Sequence, residues 1–282
     1  MKSFHAMKIT AICILLWATA VQAEQLSYKY RNGETLRNTI HAEGVSHIKV
    51  TGAAIDFPIQ ETKHQFDGNI DLTVTRVDRE GNYDLVATMA VRTNYDLYGR
   101  NQVLPIKQSY HVTMIPNGNV LSISTLNSQE TMTGQTNVAR VAGADYSNFL
   151  QGAPGLPTKH LKVGEVWKAT HTVALPDGEA ITLSHQGQLL GFEQKAGRRC
   201  AVIDVVETIQ DFKLPYLPRT EQQGKSTTRS RVWFAVKEGR VQATQGTNQS
   251  VITVRPSSFP GQSDIVINLT TTTDYSINLS NN

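Results

Sequence analysis

Cysteine is nearly absent from this chain. Only Cys13 and Cys200 occur, and Cys13 lies within an apolar N-terminal run. If that run is removed, no intramolecular disulfide can form, and the fold must rest on its core and its strand ladders. Cys200, in the apolar stretch CAVIDV, reads as a buried structural thiol rather than a reactive one. Aromatics make up only 7% of the chain and charged residues 18%. No stripe of basic and aromatic side chains appears, so nucleic acid is not expected as a partner. Beyond the N-terminus no apolar run approaches the roughly 20 residues that cross a bilayer as a helix. A Gly-x-Ser-x-Gly elbow is also missing.

The one long apolar run, Ile9 to Val21, follows Lys2 and Lys8 and leads into Val21-Gln22-Ala23. That order is a secretory signal cut near Ala23, which implies a periplasmic or secreted protein. Cys13 follows Thr10-Ala11-Ile12, a poor lipoprotein box, so no lipid anchor is expected. Cleavage removes two lysines and no acid, which takes the formal charge of +3 close to zero.

What remains is rich in β-branched residues at a period of two. In 265–279, IVINLTTTTDYSINL, the odd positions Ile265, Ile267, Leu269, Tyr275, Ile277 and Leu279 form an apolar face. Residues 70–77, 83–91, 110–115 and 232–236 read the same way, and a Gly-containing turn separates one run from the next. The expected fold is all-β, with two related antiparallel meanders forming curved sheets or an open barrel. The first meander covers 24–136 and the second 161–282. Between them, 137–160 reads as a helix from Asn137 to Leu150 followed by a Pro/Gly linker. Four landmark pairs support the repeat: Gly33 with Gly164, Gly68 with Gly187, Gly81 with Gly197, and Gly118 with Gly239.

The phrases LSYKYRNGETLR, LTVTRVDREGNYDL and LPTKHLKVGEVW resemble an uncharacterised family of secreted bacterial β-rich proteins. The resemblance implies a fold like the half-barrels of periplasmic lipoprotein carriers. It transfers no activity, because the family has none to transfer.

The residues that could carry chemistry are few. Gly224-Lys225-Ser226 lacks the earlier glycine and the strand–helix setting of a phosphate loop. His41, Glu43 and His47 share strand parity, but Gly44 reads as a break, and ordinary surface histidines are the simpler reading. His64 and His185 read as equivalent places in the repeat. Asp78, Glu80 and Asp84 cluster at a hairpin tip, where acids serve turn geometry. No catalytic residue, metal site or cofactor is expected. The suggestive feature is a pair of aromatic segments read as loops, Tyr95, Leu97 and Tyr98 in one copy and Phe212, Leu214 and Tyr216 in the other. Such segments cap an open β layer or form the mouth of a site. The resulting expectation is a non-catalytic binding protein for an apolar or amphipathic ligand, with lipid as one candidate. Its cavity would be lined by the apolar parity of strands such as 70–77 and 265–279. The alternative is a structural or interaction module that meets another protein of the cell envelope.

Overall fold

The computed structural model describes residues 23–52, 59–97, 100–128, 154–174, 180–212, 220–256 and 265–280. Their strands are β1 (Thr35–Thr51), β2 (Gln60–Val77), β3 (Tyr83–Leu97), β4 (Arg100–Met114), β5 (Val120–Ser128), β6 (Val166–Ala174), β7 (Ala180–Lys195), β8 (Arg198–Phe212), β9 (Thr220–Ala235), β10 (Arg240–Pro256) and β11 (Val266–Leu279). Among the described residues there is no helix, and the expected helix over 137–150 lies outside them.

Each strand pairs with the next in sequence, and the sheet closes into one barrel. β1 meets β11 antiparallel, with Ala42 opposite Tyr275. β5 and β6 meet in parallel through a single pair, Ser122 with Ala174. Closure replaces the open barrel that the sequence suggested. It removes the free edges that two separate meanders would expose.

The alternation of side chains decides which face points inward. On β2, Thr62, His64, Phe66, Ile70 and Val74 are buried, while Glu61, Lys63 and Asn69 are exposed. β3 buries Tyr83, Leu85, Ala87, Met89, Val91, Thr93 and Tyr95, and β11 buries Leu269, Thr271, Tyr275 and Ile277. The outer face carries Lys63, Asp71, Arg92, Lys107, Arg229 and Arg231. Arg37 clasps Asp71 there through 3.0 and 3.2 Å bonds, and Arg231 clasps Asp204 through 2.8 and 3.2 Å bonds. A barrel facing lipid would need an apolar outer band instead. Cys200 is also on the outer side, buried under Trp233, Ala235 and Ala243. Burial, the largest cause, raises its thiol pKa. The Lys195 ammonium sits 4.4 Å above the Trp233 ring and closes that small cluster.

The segment before β1 folds across one end of the barrel, and we call that end the base. Leu26 and Tyr28 are 2% exposed. Tyr28 donates its backbone N–H to Pro116 and its hydroxyl to the Pro154 carbonyl at 3.2 Å, and its own carbonyl accepts the Tyr83 hydroxyl at 2.8 Å. Its ring meets Phe234 edge-on at 5.2 Å. The stretch 154–161 joins this plug, with Leu156 and Leu161 buried and Trp167 Nε1 donating to the Gly155 carbonyl at 3.0 Å. Of the linker read at 152–160, Pro154, Gly155 and Leu156 are therefore packed core, while Thr158, Lys159 and His160 are exposed.

The two Gly-Glu turns match in detail. Gly33 and Gly164 have φ of 78° and 86°. Gly33 donates to the Val74 carbonyl and Gly164 to that of Leu189, while Glu34 and Glu165 each reach back to the amide three residues before. β-Bulges follow at Val74/Arg76 and Leu189/Gly191. The pairing of Gly68 with Gly187 fails, because the register sets Gly187 against Trp167 where Leu72 stands against Leu36. A Cβ on Gly187 would lie 2.2 Å from the Trp167 ring, so this glycine makes room for the indole.

Candidate functional site

Among the apolar inward side chains runs a line of hydroxyl, amide, imidazole and carboxyl groups, which starts at His185 against Gly155 of the plug. The register places them side by side around the wall. Tyr95 on β3 stands opposite His64 on β2, His64 opposite Gly44 on β1, and Gly44 opposite Thr273 on β11. The line continues from Asn248 on β10 to Thr228 on β9, Glu207 on β8 and His185 on β7.

Glycines let the larger side chains cross neighbouring strands. Gly44 does not break β1, as its sequence suggested. It leaves space for the His64 ring, which would lie 2.3 Å from a Cβ there, and His64 Nε2 reaches Thr273 Oγ1 at 3.1 Å. Gly246 stands opposite Tyr275, whose hydroxyl would be 2.9 Å from a Cβ on that glycine. The Tyr275 hydroxyl thus passes over β10 toward Ser230 and Glu207. Nearby, Asn248 Nδ2 donates to Ser226 and Thr228, each at 2.8 Å.

The electrostatics follow from burial. Glu207 is 8% exposed, and removal from water pushes its carboxyl up to about 8. Burial lowers His64 and His185 to about 4 and also lowers His171. His171 lies 5.7 Å from His185, ring to ring. At neutral pH the histidines are uncharged and Glu207 is mostly protonated. Among the described inward side chains above the plug there is no Lys, Arg or Asp. No group of three potential metal ligands forms among the described residues.

The sites expected from sequence are distributed differently. Tyr95 is on β3 rather than a loop, faces inward at 2% exposure, and meets Phe66 edge-on at 6.4 Å. Leu97 and Phe212 end β3 and β8, at the end opposite the base. Tyr98, Leu214 and Tyr216 lie outside the described residues. His41 and Glu43 stay on the exposed outer face, where His41 bonds Asp67 at 2.6 Å, and that bond, its largest influence, raises its pKa. Gly224-Lys225-Ser226 lies mid-strand in β9, with no helix after it. Asp78 accepts from the Glu80 and Asn82 amides and shapes its turn. Sequence reasoning put Tyr275 on the inward face of 265–279 but gave it no polar role, and it missed Glu207 and Thr228. The only available signal was an acid at an inward parity position in VVETIQ.

The outer wall also holds an open groove of about 640 Å³, bordered by Glu43, Lys63, Gln65, Asp96 and Asp274. Its charges are solvated and of both signs.

No family model matches this chain, and no curated protein matches it. Among solved structures, the hypothetical lipoprotein YmcC of Escherichia coli K12 is 13% identical, covering 81% of this chain and 85% of that one, with a TM-score of 0.28. The CymD monoaromatic hydrocarbon channel is 8% identical, covers 90% of each chain and has a TM-score of 0.23. Scores this low carry no argument about this chain.

Proposed function

We propose that the barrel is a non-catalytic carrier for one apolar or amphipathic molecule, held in its interior above the plug. The reading rests on barrel size. Eleven strands at a spacing of about 4.8 Å and a tilt of about 40° enclose a backbone diameter of about 22 Å. Facing sheets fill the space between them at only about 10 Å. The base deals with the excess width by inserting Leu26, Tyr28, Leu156 and Leu161.

The observation that carries the proposal is how the inner apolar side chains group above the base. One patch, including Phe66, Met89, Val91 and Ile277, belongs to β1, β2, β3 and β11. Another, Ile252, Val254 and Leu269, belongs to β10 and β11. The β6–β8 wall, with Val173, Leu183, Val205 and Ile209, belongs instead to the large cluster that surrounds the plug, which meets the first of these patches only at the half-buried Leu72. Walls that are apolar yet separate suit a guest with a hydrocarbon body. The N-terminal signal expected from the sequence puts this carrier in the periplasm or outside the cell.

The test is native mass spectrometry of the protein purified from its own host without detergent. A single additional mass, released on denaturation and partitioning into organic solvent, is the expected result. A bare chain that co-purifies with an envelope protein would favour the interaction-module reading.

A further inference from the structure

The carrier reading leaves the guest's head group open, and the inner wall narrows it. Glu207 is the one acid among the described inward side chains above the plug, and no Lys, Arg or Asp accompanies it. Its neighbours are His185 across the β7 side, Thr228 across the β9 side, and Tyr275 and Ser230 reaching over Gly246. All of these are uncharged at neutral pH. His171 extends the patch toward β6.

The carboxyl is not satisfied by this setting. Glu207 Oε1 is shielded from water and has no hydrogen-bond partner, and His171 Nδ1 is in the same condition. A buried polar atom without a partner costs on the order of 1–3 kcal/mol, so native structures rarely keep one without an external partner.

Resting on the carrier reading, we infer that the guest is a single-chain amphiphile whose head donates hydrogen bonds and carries no negative charge, a hydroxyl or an amine, and that Glu207 accepts from it. The hydroxyls here, including the unpartnered Tyr275 hydroxyl, could donate to an anionic head, but no Lys or Arg balances its charge in a medium where an unpaired charge is expensive. A hydroxyl fills the vacant acceptor directly. An ammonium fills it with three donors and draws the proton off Glu207, and the resulting pair is charge-balanced.

The experiment compares three probes with the same twelve-carbon chain, dodecanol, dodecylamine and dodecanoate. Each is titrated below its micelle concentration into the full mature protein at pH 7 and followed by displacement of N-phenyl-1-naphthylamine. The alcohol and the amine should bind, and dodecanoate should bind at least tenfold more weakly. Glu207→Leu should keep its affinity for N-phenyl-1-naphthylamine and lose about tenfold or more for the alcohol and the amine. Its thermal midpoint should not fall, because an unsatisfied polar group has been replaced by an apolar one, so lost binding would not reflect misfolding. Dodecanoate binding as tightly as the other two, or Glu207→Leu leaving all three affinities unchanged, overturns the head-group inference and leaves the carrier reading intact. Failure of all four molecules to bind the folded wild-type protein overturns both.

Discussion

The two ends of this barrel solve the same geometric problem in opposite ways. Both must fill a cylinder wider than two facing layers of side chains. The base uses its own chain, inserting a segment whose backbone is hydrogen-bonded to Pro116, Gly239 and Leu161 and whose rings stack edge to face. Higher up, the wall keeps apolar patches apart and lines the gap between them with neutral polar groups. Glu207 and His64 lose hydration there, whereas His185 rests on Gly155 of the plug. The carrier proposal turns on that difference.

The largest contrast should come from truncating the plug. Tyr28→Ala removes a fully buried ring, its contact with Phe234 and its hydroxyl bond to Pro154. Chemical denaturation should show a loss of about 3–5 kcal/mol. The matched change above the base, Ile252→Ala, should cost less than half as much if that wall faces a lumen rather than packed core. Equal losses would erase the distinction.

The next effect is on pH. Glu207 has a folded value of about 8, above its unfolded value, so the folded state binds more protons between those limits and stability falls as pH rises through them. His64 and His185, at about 4, act in the opposite sense, and their contribution is lost as pH drops below their unfolded value of 6.5. Two histidines outweigh one glutamate below pH 6.5, so stability should peak near there and decline toward pH 8. The decline should amount to a few kcal/mol at most. Glu207→Leu should remove most of it, leaving the smaller decline contributed by exposed His41, whose pKa Asp67 raises; an undiminished slope in that variant would place the titrating group elsewhere.

The packing glycines give a smaller signal. Gly187→Ala sets a methyl against the Trp167 ring and should cost about 1–3 kcal/mol. In a Trp167→Leu background, where the indole and its bond to Gly155 are already lost, the same change should cost much less. Thermal melts of the two single variants and the double variant check it. The smallest effect is at the β7–β8 turn, where Ala196 and Gly197 both have positive φ, 51° and 75°. Asn suits that conformation better than Ala, so Ala196→Asn should raise stability by about 0.5–1 kcal/mol in the same melts.

These contrasts also explain what could be read from the sequence. Residues 70–77, 83–91, 110–115 and 232–236 are the base-side portions of longer strands, and they are legible because apolar and polar residues alternate there. In the upper portions, QETKHQFDGN of β2 and TEQQGKSTTRS of β9, the inward residues apart from Phe66 are themselves Thr, His, Gln, Ser and Gly, so hydropathy loses its period. That is why strand lengths were underestimated and Gly44 read as a break. The candidate site was hidden for the same reason. Glu207 and Tyr275 acquire meaning only once Gly246 lets one approach the other across β10. Closure was equally invisible, since nothing in β1 names β11 as its partner. Gly33 and Gly164, by contrast, could be matched from their shared Gly-Glu and turned out alike in φ and bonding.

The central claim is that the region above the plug is a lumen and not a second core. Its most direct test is a titration of N-phenyl-1-naphthylamine into the wild-type protein and into Ala42→Trp, which sets a large ring on the inner wall between Tyr275 and Phe66. The account predicts one saturable site per wild-type chain, and a variant that stays folded, by its melting midpoint, with that site blocked. An unfolded Ala42→Trp chain beside a wild-type protein that binds nothing would mean the barrel is filled from base to rim, and would contradict it.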